Sequence, residues 1–598
     1  MTPLHDLQGL MWPEADLCSD PGFYVRGGRL EVGALRLGPG ERAVFDTYAN
    51  LFNLGKWAKH CGLERLWLRL EGQGRAVVTV HLSRPDPAHP RMRRIDRDRD
   101  DPVQPPETVE ILRRQVDLAG GEPLRIPTGH GDLAILHLAL EAVGDVTLTG
   151  ATWATDAAPP RRPRLMLSVT SFRREAAVSR TIARFRDYLA GSDLADVLHL
   201  TVVDNGRTLE PVSDETVTIV QNENLGGAGG FARGLIEARA RGADYCLFMD
   251  DDASVHTEAW RRTWTFLAYC RSPRVAVAGA VAAGREATLW ENGALFHGVC
   301  RPQHMGADLT ALPEIAEVEF DSTETQPPNF YGGWWYFAFP VAAVKHLPFP
   351  FFVRGDDVSF SLVHDFDIVT LPGVISFQDE DFAVKETPLT VYLDLRSHLA
   401  HHLSLPGMRI GRARFVWIVA RFYLRSLISM HYDTLEAVAL ALEDVRRGPE
   451  WFAANADAAG RRADMAALTQ GERWQPGTVD LSGKRRLDPA HTVSRTLMKA
   501  TLNGHFLPGF AWFGDRIVLP AEKRGERRPL WGAAEVTYVG EGRFYTVRHS
   551  KRRALRTGWR ILRQTLALLR DYGVLRARWH AGYRAQTTEA FWREKLGL

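Results

Sequence analysis

From Leu165 onward the chain alternates strand-length apolar runs with stretches of helical spacing, and this alternation restricts its fold more than any other feature. LMLSVTSF reads as a buried strand, EAAVSRTIARFRDYLAGS as a helix, and LHLTVVDNG and TVTIVQNE as strands. AGGFARGLIEARARG is a second helix, and YCLFMDDDA a further strand. Strands alternating with helices predict an open, largely parallel α/β sheet. Such sheets bind ligands at the carboxyl ends of their strands, where Asp204, Asn224 and Asp250 to Asp252 fall.

The flanking sequence differs in kind. Residues 1–155 read as a β-sandwich or barrel, because RLWLRL, RAVVTVHL and DLAILHLALEAVGDVTLTGATW cluster or alternate apolar residues around glycine turns. The polar SRPDPAHPRMRRIDRDRDDPVQPPE predicts a long surface loop within that region, and DAAPPRRPR (156–164) reads as a linker. Residues 163–390 form the expected α/β domain, and 391–598 are expected to be mainly helical, with FVWIVARFYLRSLISM and TLEAVALALEDVRRG in helical register. A length of 598 residues accommodates three domains.

Composition excludes several classes. Apolar residues make up 45% and charged residues 24%, which excludes a mainly disordered or low-complexity chain. The net charge of +2 argues against a nucleic-acid-coating protein. It conceals a basic end, since residues 541–598 carry 14 Lys/Arg against 4 Asp/Glu. That tail is expected to dock at an anionic membrane surface, with a solvated helix pair or a homo-oligomer contact as the alternative reading. The five cysteines lack the close spacing of metal or redox pairs, which fits reduced thiols in the cytoplasm. No run reaches the roughly 18 apolar residues of a spanning helix, so the expected location is cytoplasmic and peripheral to the membrane's inner face.

Three motifs carry candidate chemistry. In FMDDDAS, consecutive carboxylates after an apolar strand repel one another unless a cation or solvent intervenes. If the segment stays extended, Asp250 and Asp252 point the same way and offer oxygen ligands to Mn²⁺ or Mg²⁺. A solvated acidic turn is the alternative. In VVDNG and QNENLGGAGGFARG, Asp204, Asn222 and Asn224 supply hydrogen-bonding groups, and the glycines allow close approach ahead of a helix. A dinucleotide fingerprint, or a purely structural glycine turn, would read from the same residues. In NFYGGWWYFAFP and RGDDVSFSLV, Trp334 and Trp335 are either core or a sugar platform. Asp356 and Asp357 either accompany a helix start or accept a proton from a hydroxyl nucleophile.

An acidic metal motif, a nucleotide-sized strand-end pocket and a distal carboxylate describe a nucleotide-sugar glycosyltransferase with a GT-A-type open mixed sheet. VTSFRR, VVDNG, NENLGGAGGFARG, FMDDDA, NFYGGWWYFAFP, RGDDVSF and LPGVISF, in this order, resemble the bacterial galactofuranosyltransferases of glycosyltransferase family two. The resemblance spans about residues 168–400 and implies an inverting transfer of galactofuranose from a UDP-sugar donor to a glycan or lipid-linked acceptor. It implies that Asp250 and Asp252 bind the metal and that Arg173, Asp204 and Asn224, with Asp251, hold the nucleotide sugar. Asp357 would be the general base, with Trp334, Trp335, Asp356 and Glu291 on the acceptor side. One departure stands out: where the family completes its metal site with a histidine after LPGV, this chain has Gln378. Gln378 or Asp379 through oxygen, or a later histidine such as His398 or His401, are the candidates to replace it. Rival readings are a transferase for another UDP- or dTDP-sugar such as rhamnose, a non-catalytic carbohydrate-binding protein, and a nicotinamide oxidoreductase.

Overall fold

Strand Leu165–Ser171 lies inside a ten-stranded sheet and pairs in parallel with both Leu198–Asp204 and Tyr245–Asp250. The order across the sheet is 212–213, 217–221, 198–204, 165–171, 245–250, 337–340, 275–283, 367–378 and 253–255, with 289–291 paired to 275–283. Phe337–Pro340 runs antiparallel to Tyr245–Asp250, so the sheet is mixed rather than purely parallel. The computed structural model describes residues 3–88, 93, 102–378, 386–479, 485 and 491–598. Residues 89–92 and 94–101 of the loop expected over 83–107, and Asp379, lie outside the described residues.

The chain divides into two compact units, one of Met1–Asn224, Gly230–Leu347 and Phe360–Asp379, the other of Leu225–Gly229, Pro348–Ser359 and Glu380–Leu598. In the first unit the amino-terminal strands form two antiparallel sheets, a six-stranded one containing Leu66–Gln73 and Val146–Thr155 and a four-stranded one containing Arg75–Arg84 and Ile135–Ala142. Leu66, Leu68 and Leu70 of one sheet and Val78, Val80 and Leu138 of the other enter one core, as period-two alternation requires. That core continues into Leu165, Leu167 and Val169 of the mixed sheet.

Polar ties cross the interior of this unit. Arg262, on helix Thr257–Tyr269, donates to the carbonyls of Ala49, Pro372 and Gly9. Lys56 Nζ lies 2.8 Å from Glu319 Oε2, with both side chains fully buried. Asn53 donates to the same Glu319 oxygen and Lys56 also donates to Ser322 Oγ, while Glu319 Oε1 has no partner among the described residues. Removing one partner of such a pair strands the other charge, at a cost of about 3–5 kcal/mol.

The glycine-rich segment proves to be a packing device. A Cβ on Gly230 would stand 2.2 Å from Thr170 Cγ2, and one on Gly234 would stand 1.9 Å from Ser168 Oγ. Helix Gly226–Ala240 therefore presses its backbone onto strand Leu165–Ser171, an approach that a side chain at either glycine would block.

The second unit holds helices Pro388–Ser404, Arg412–Ile428, Tyr432–Arg447, Lys551–Arg570 and Tyr572–Gln586. It also holds a four-stranded sheet of Gln475–Pro476, Asp515–Pro520, Ala533–Gly540 and Arg543–Arg548, which the sequence reading did not anticipate. Alternation in AAEVTYVG, with Val536 and Tyr538 buried, is the signal that could have exposed it.

Candidate active site

In the first unit, parallel register brings the acidic strand ends to one sheet edge. Ser171 pairs with Asp204, and its neighbour Thr170 with Asp250. Asp204 and Asp250 therefore close the two strands that flank Leu165–Ser171, at the same end of the sheet. Strand Tyr245–Asp250 ends where its name implies, and Asp251 and Asp252 form a turn before the next strand begins at Ala253. The two-residue alternation invoked for Asp250 and Asp252 does not apply across that turn.

The turn is held from the Phe172–Arg174 loop. Phe172 N–H donates to Asp251 Oδ2 at 3.1 Å. The Arg174 guanidinium lies 3.6 Å from Asp251 Oδ1 and 3.7 Å from Asp252 Oδ2. Burial raises the Asp251 pKa and Asp252 adds to the rise, while the Phe172 amide and Arg174 oppose it. Arg173, the expected nucleotide ligand, takes a left-handed φ of 57° and stacks on Phe172, its guanidinium carbon 5.2 Å from the ring centroid. Its neighbour Arg174 is the one that reaches the acidic turn, and the paired FRR arginines were the only sequence signal for it.

Asp204 is buried and its carboxylate serves its own loop, accepting from the amides of Gly206, Thr208 and Leu209 at 2.8, 2.6 and 2.7 Å. Asn222 N–H donates to the Asp204 carbonyl, and its side chain donates to Asn205 Oδ1, so the two motifs lock together. Asn224 follows, half-buried.

The aromatic wall is corrected in part. Trp334 is 4% exposed, with its ring packed 4.8 Å from Phe231, 5.2 Å from Phe248 and 5.7 Å from Phe360. It is core, because the aromatic residues around it close over both faces, and it presents no open sugar platform. Trp335 is half-buried and donates from Nε1 to the Gly279 carbonyl at 3.0 Å. Glu291 is buried on strand Leu289–Glu291, opposite Val281.

For a metal, the described residues gather no group of three or more His, Cys, Asp and Glu side chains. Gln378 pairs across the sheet with Ala253, directly after Asp252, and its Oε1 is buried without a hydrogen-bond partner among the described residues. A buried amide oxygen of this kind suits a hard divalent ion. His398 and His401 sit on helix Pro388–Ser404 in the second unit, packed against Phe422 and Phe351 at 5.8 and 5.3 Å. Burial lowers both imidazole pKa values, His398 to about 3, which keeps them neutral.

Asp356 and Asp357 belong to the second unit and open helix Asp356–Val363. The chain reaches them through three left-handed residues, Phe352, Arg354 and Gly355, with φ of 72°, 68° and 90°. For the two non-glycine residues this conformation costs about 1–3 kcal/mol each. Glycine is required at 355, where a Cβ would stand 2.6 Å from that of Ser397 and 2.9 Å from His401 Nε2. Asp357 Oδ1 accepts from Val358 N–H at 2.8 Å. Arg354 lies beside it, itself 3.4 Å from both Asp394 oxygens.

Burial pushes the Asp357 pKa up to about 6 against the pull of the Val358 amide and Arg354. Asp356, deeper still, is pushed well above the usual carboxylate range, first by burial and then by Asp357, with Arg396 opposing. Arg396 is buried, receives ring faces from Tyr392 and Phe452 at 4.9 Å each, and donates to the Phe351 carbonyl. Both aspartates lie in the helix's first turn, as the helix-start reading expected, where the helix dipole favours anions. Sequence reasoning missed Arg354 and Arg396, whose neighbours come from distant parts of the chain.

No family model matches the chain. Its curated relatives are glycosyltransferases, and the chain is their homologue. The galactofuranosyltransferase GlfT2 of Mycolicibacterium smegmatis is 24% identical over 508 residues, covering 77% of this chain and 72% of that protein. The GlfT2 of Mycobacterium tuberculosis is 24% identical over 463 residues, 70% and 67% of the two chains. Among solved structures, the mannosyltransferase PcManGT from Pyrobaculum calidifontis, in complex with GDP-Man and Mn²⁺, is 18% identical. It covers 52% of this chain and 81% of its own, with a TM-score of 0.28.

Proposed function

We propose that this protein is an inverting, metal-dependent glycosyltransferase that moves galactofuranose from UDP-galactofuranose onto a glycan or lipid-linked acceptor in cell-surface polysaccharide synthesis. The observation that carries the reading is Asp357, a carboxylate held near pH 6 at a strained turn, in a chain homologous to galactofuranosyltransferases. At neutral pH such a group is ionised yet remains a better base than an ordinary aspartate.

Asp250 and Asp252, with Gln378 Oε1 as third oxygen, would hold Mn²⁺ or Mg²⁺, which supplies charge neutralisation for the departing diphosphate. The chain's own residues do the rest. Asp204 fixes the loop that lines the nucleotide end, and Arg174 holds the acidic turn in place between its carboxylates. Arg173 is exposed and pre-stacked on Phe172, ready to meet the donor's phosphates. Asp357 accepts the proton of the acceptor hydroxyl as that oxygen attacks the anomeric carbon. A hydroxyl is far less acidic than a carboxylic acid, so proton transfer accompanies attack rather than preceding it. Direct displacement by the acceptor inverts the anomeric centre. Asp356, its pKa raised by burial and then by Asp357, lies next to that base in the first turn of the helix.

The test is UDP release with Mn²⁺ or Mg²⁺ across a nucleotide-sugar panel that includes UDP-galactofuranose, with a short galactofuranosyl acceptor and Asp252→Asn as control. Turnover confined to UDP-galactofuranose and lost in the variant supports the reading. Turnover with another UDP- or dTDP-sugar alone overturns the donor and keeps the chemistry.

A further inference from the structure

Asp357 is flanked by a cation, and that cation is itself held from one side. Arg354 takes a left-handed φ of 68° in the turn that leads into helix Asp356–Val363, a conformation that residues with a side chain rarely adopt. The turn presses onto helix Pro388–Ser404, since a Cβ on Gly355 would stand 2.6 Å from Ser397 Cβ. Asp394 lies three residues before Ser397 and so shares its helix face. Ser397 Oγ also donates to the Asp394 carbonyl at 3.0 Å. This packing delivers the Arg354 side chain to Asp394, with Nη1 3.4 Å from each carboxylate oxygen. All of these residues lie in the second unit.

The length of that contact matters. A charge-assisted N–H···O bond closes to about 2.7–2.9 Å, so a nitrogen 3.4 Å from two oxygens is held loosely by both. The guanidinium is divided: it lowers the pKa of Asp394 and also that of Asp357. Around Asp394 stand Arg354 and the paired Glu386 and Arg425, of which Glu386 raises its pKa and Arg425 lowers it. His398 and His401, further along the same helix, are kept neutral by burial and add no charge where Asp357 titrates. Facing Asp357 are Arg354 and the Val358 and Gly355 amides, which lower its pKa, and its neighbour Asp356, itself faced by Arg396.

We propose that Asp394 is a positioning residue for proton transfer, holding the Arg354 guanidinium partly away from Asp357 so that Asp357 stays basic enough to take the acceptor's proton. The role rests on the reading of Asp357 as general base. With Asp394 ionised, Arg354 shares its charge between two carboxylates. Without it the guanidinium turns its full charge on Asp357, stabilises the anion and weakens the base. No bond forms or breaks at Asp394, which acts through Arg354.

The experiment is the pH profile of kcat/KM between about pH 5 and 9, read as UDP release with the nucleotide sugar that turns over. The variants are Asp394→Asn, Arg354→Gln, the two combined, and Asp394→Glu. Asp394→Asn should move the acid limb down by up to about one pH unit and lower the plateau about threefold. Arg354→Gln should move the limb the other way. The combined variant should follow Arg354→Gln alone, because Asp394 has then lost the group it acts through. Asp394→Glu should restore the limb, and UDP affinity should hold in Asp394→Asn.

A limb that Asp394→Asn leaves in place or moves upward overturns the proposal. So do shifts that simply add in the combined variant, since Asp394 would then act on Asp357 directly. Asp357→Asn separates this role from the reading beneath it. If its residual rate keeps the acid limb, Asp357 is not the base and both fall. If the limb disappears there while Asp394→Asn fails to shift it, the base stands and the positioning role is lost.

Discussion

The two acidic clusters are made of the same residue but held in opposite ways. The Asp250–Asp252 turn is half-buried, faces the guanidinium of Arg174 and ties one carboxylate to a backbone amide. The Asp356–Asp357 pair sits deeper, with Arg354 on one side and Arg396 on the other, yet burial outweighs both cations and raises both pKa values. The lesson is that neighbouring charge does not set protonation by itself. Burial raises the Asp251 pKa too, against the Phe172 amide and Arg174, but at the helix start it carries the Asp357 pKa up to about 6, close enough to neutral pH for proton transfer.

The sharpest way to break this contrast is Asp357→Asn, which keeps shape and removes the base. Turnover should fall by about 10²–10⁴, while UDP affinity, measured by calorimetry with metal present, stays near that of the unaltered chain. Equal loss of both would mean that the helix start, not the proton, had been damaged. Next in size is Asp252→Asn on the other cluster. Metal-dependent UDP affinity should drop about 10–100-fold with little change in metal-free binding, because the loss is of an oxygen ligand rather than of a nucleotide contact.

The pH profile sharpens the comparison. With Asp357 as base at about 6, kcat/KM should fall as pH drops through that value. Arg354→Gln removes a cation that lowers this pKa, so the acid limb should move upward, by up to about one pH unit. A limb that stays in place would assign it to another group.

The smallest effect concerns stability. A carboxylate whose pKa is raised by folding binds its proton more tightly in the native state, so stability falls as pH rises from the unfolded value through the folded one. Asp356→Asn removes that burden. Its thermal midpoint should exceed that of the unaltered chain at pH 8 by about 2–4 °C, with the gain vanishing near pH 4. Calorimetry at the two pH values checks this.

Much of this site could be read in advance. Apolar runs followed at once by DNG and DDD mark strand ends, because a buried strand cannot continue through consecutive carboxylates, and the structure puts Asp204 and Asp250 on one edge. The glycine motif was visible but ambiguous, since glycine signals close approach without saying to what. Here Gly230 and Gly234 meet Thr170 and Ser168. Trp334 and Trp335 read alike in a string, yet one is enclosed by phenylalanines from separate elements and the other is half-buried. The sheet between residues 475 and 548 left its signal in the alternation of AAEVTYVG, set among stretches of helical spacing.

The sequence by itself determined the alternating α/β core, the acidic strand ends, the Asp356–Asp357 pair and the unbalanced basic tail, because periodicity and charge are local properties of the chain. Only the tertiary structure decided that Arg174 rather than Arg173 braces the acidic turn, and that Gln378 pairs across the sheet next to that turn with its amide oxygen buried. It alone decided that burial overrides Arg354 and Arg396 at Asp356 and Asp357. Those outcomes depend on desolvation and on distances between residues far apart in the chain, and neither quantity exists until the chain has folded.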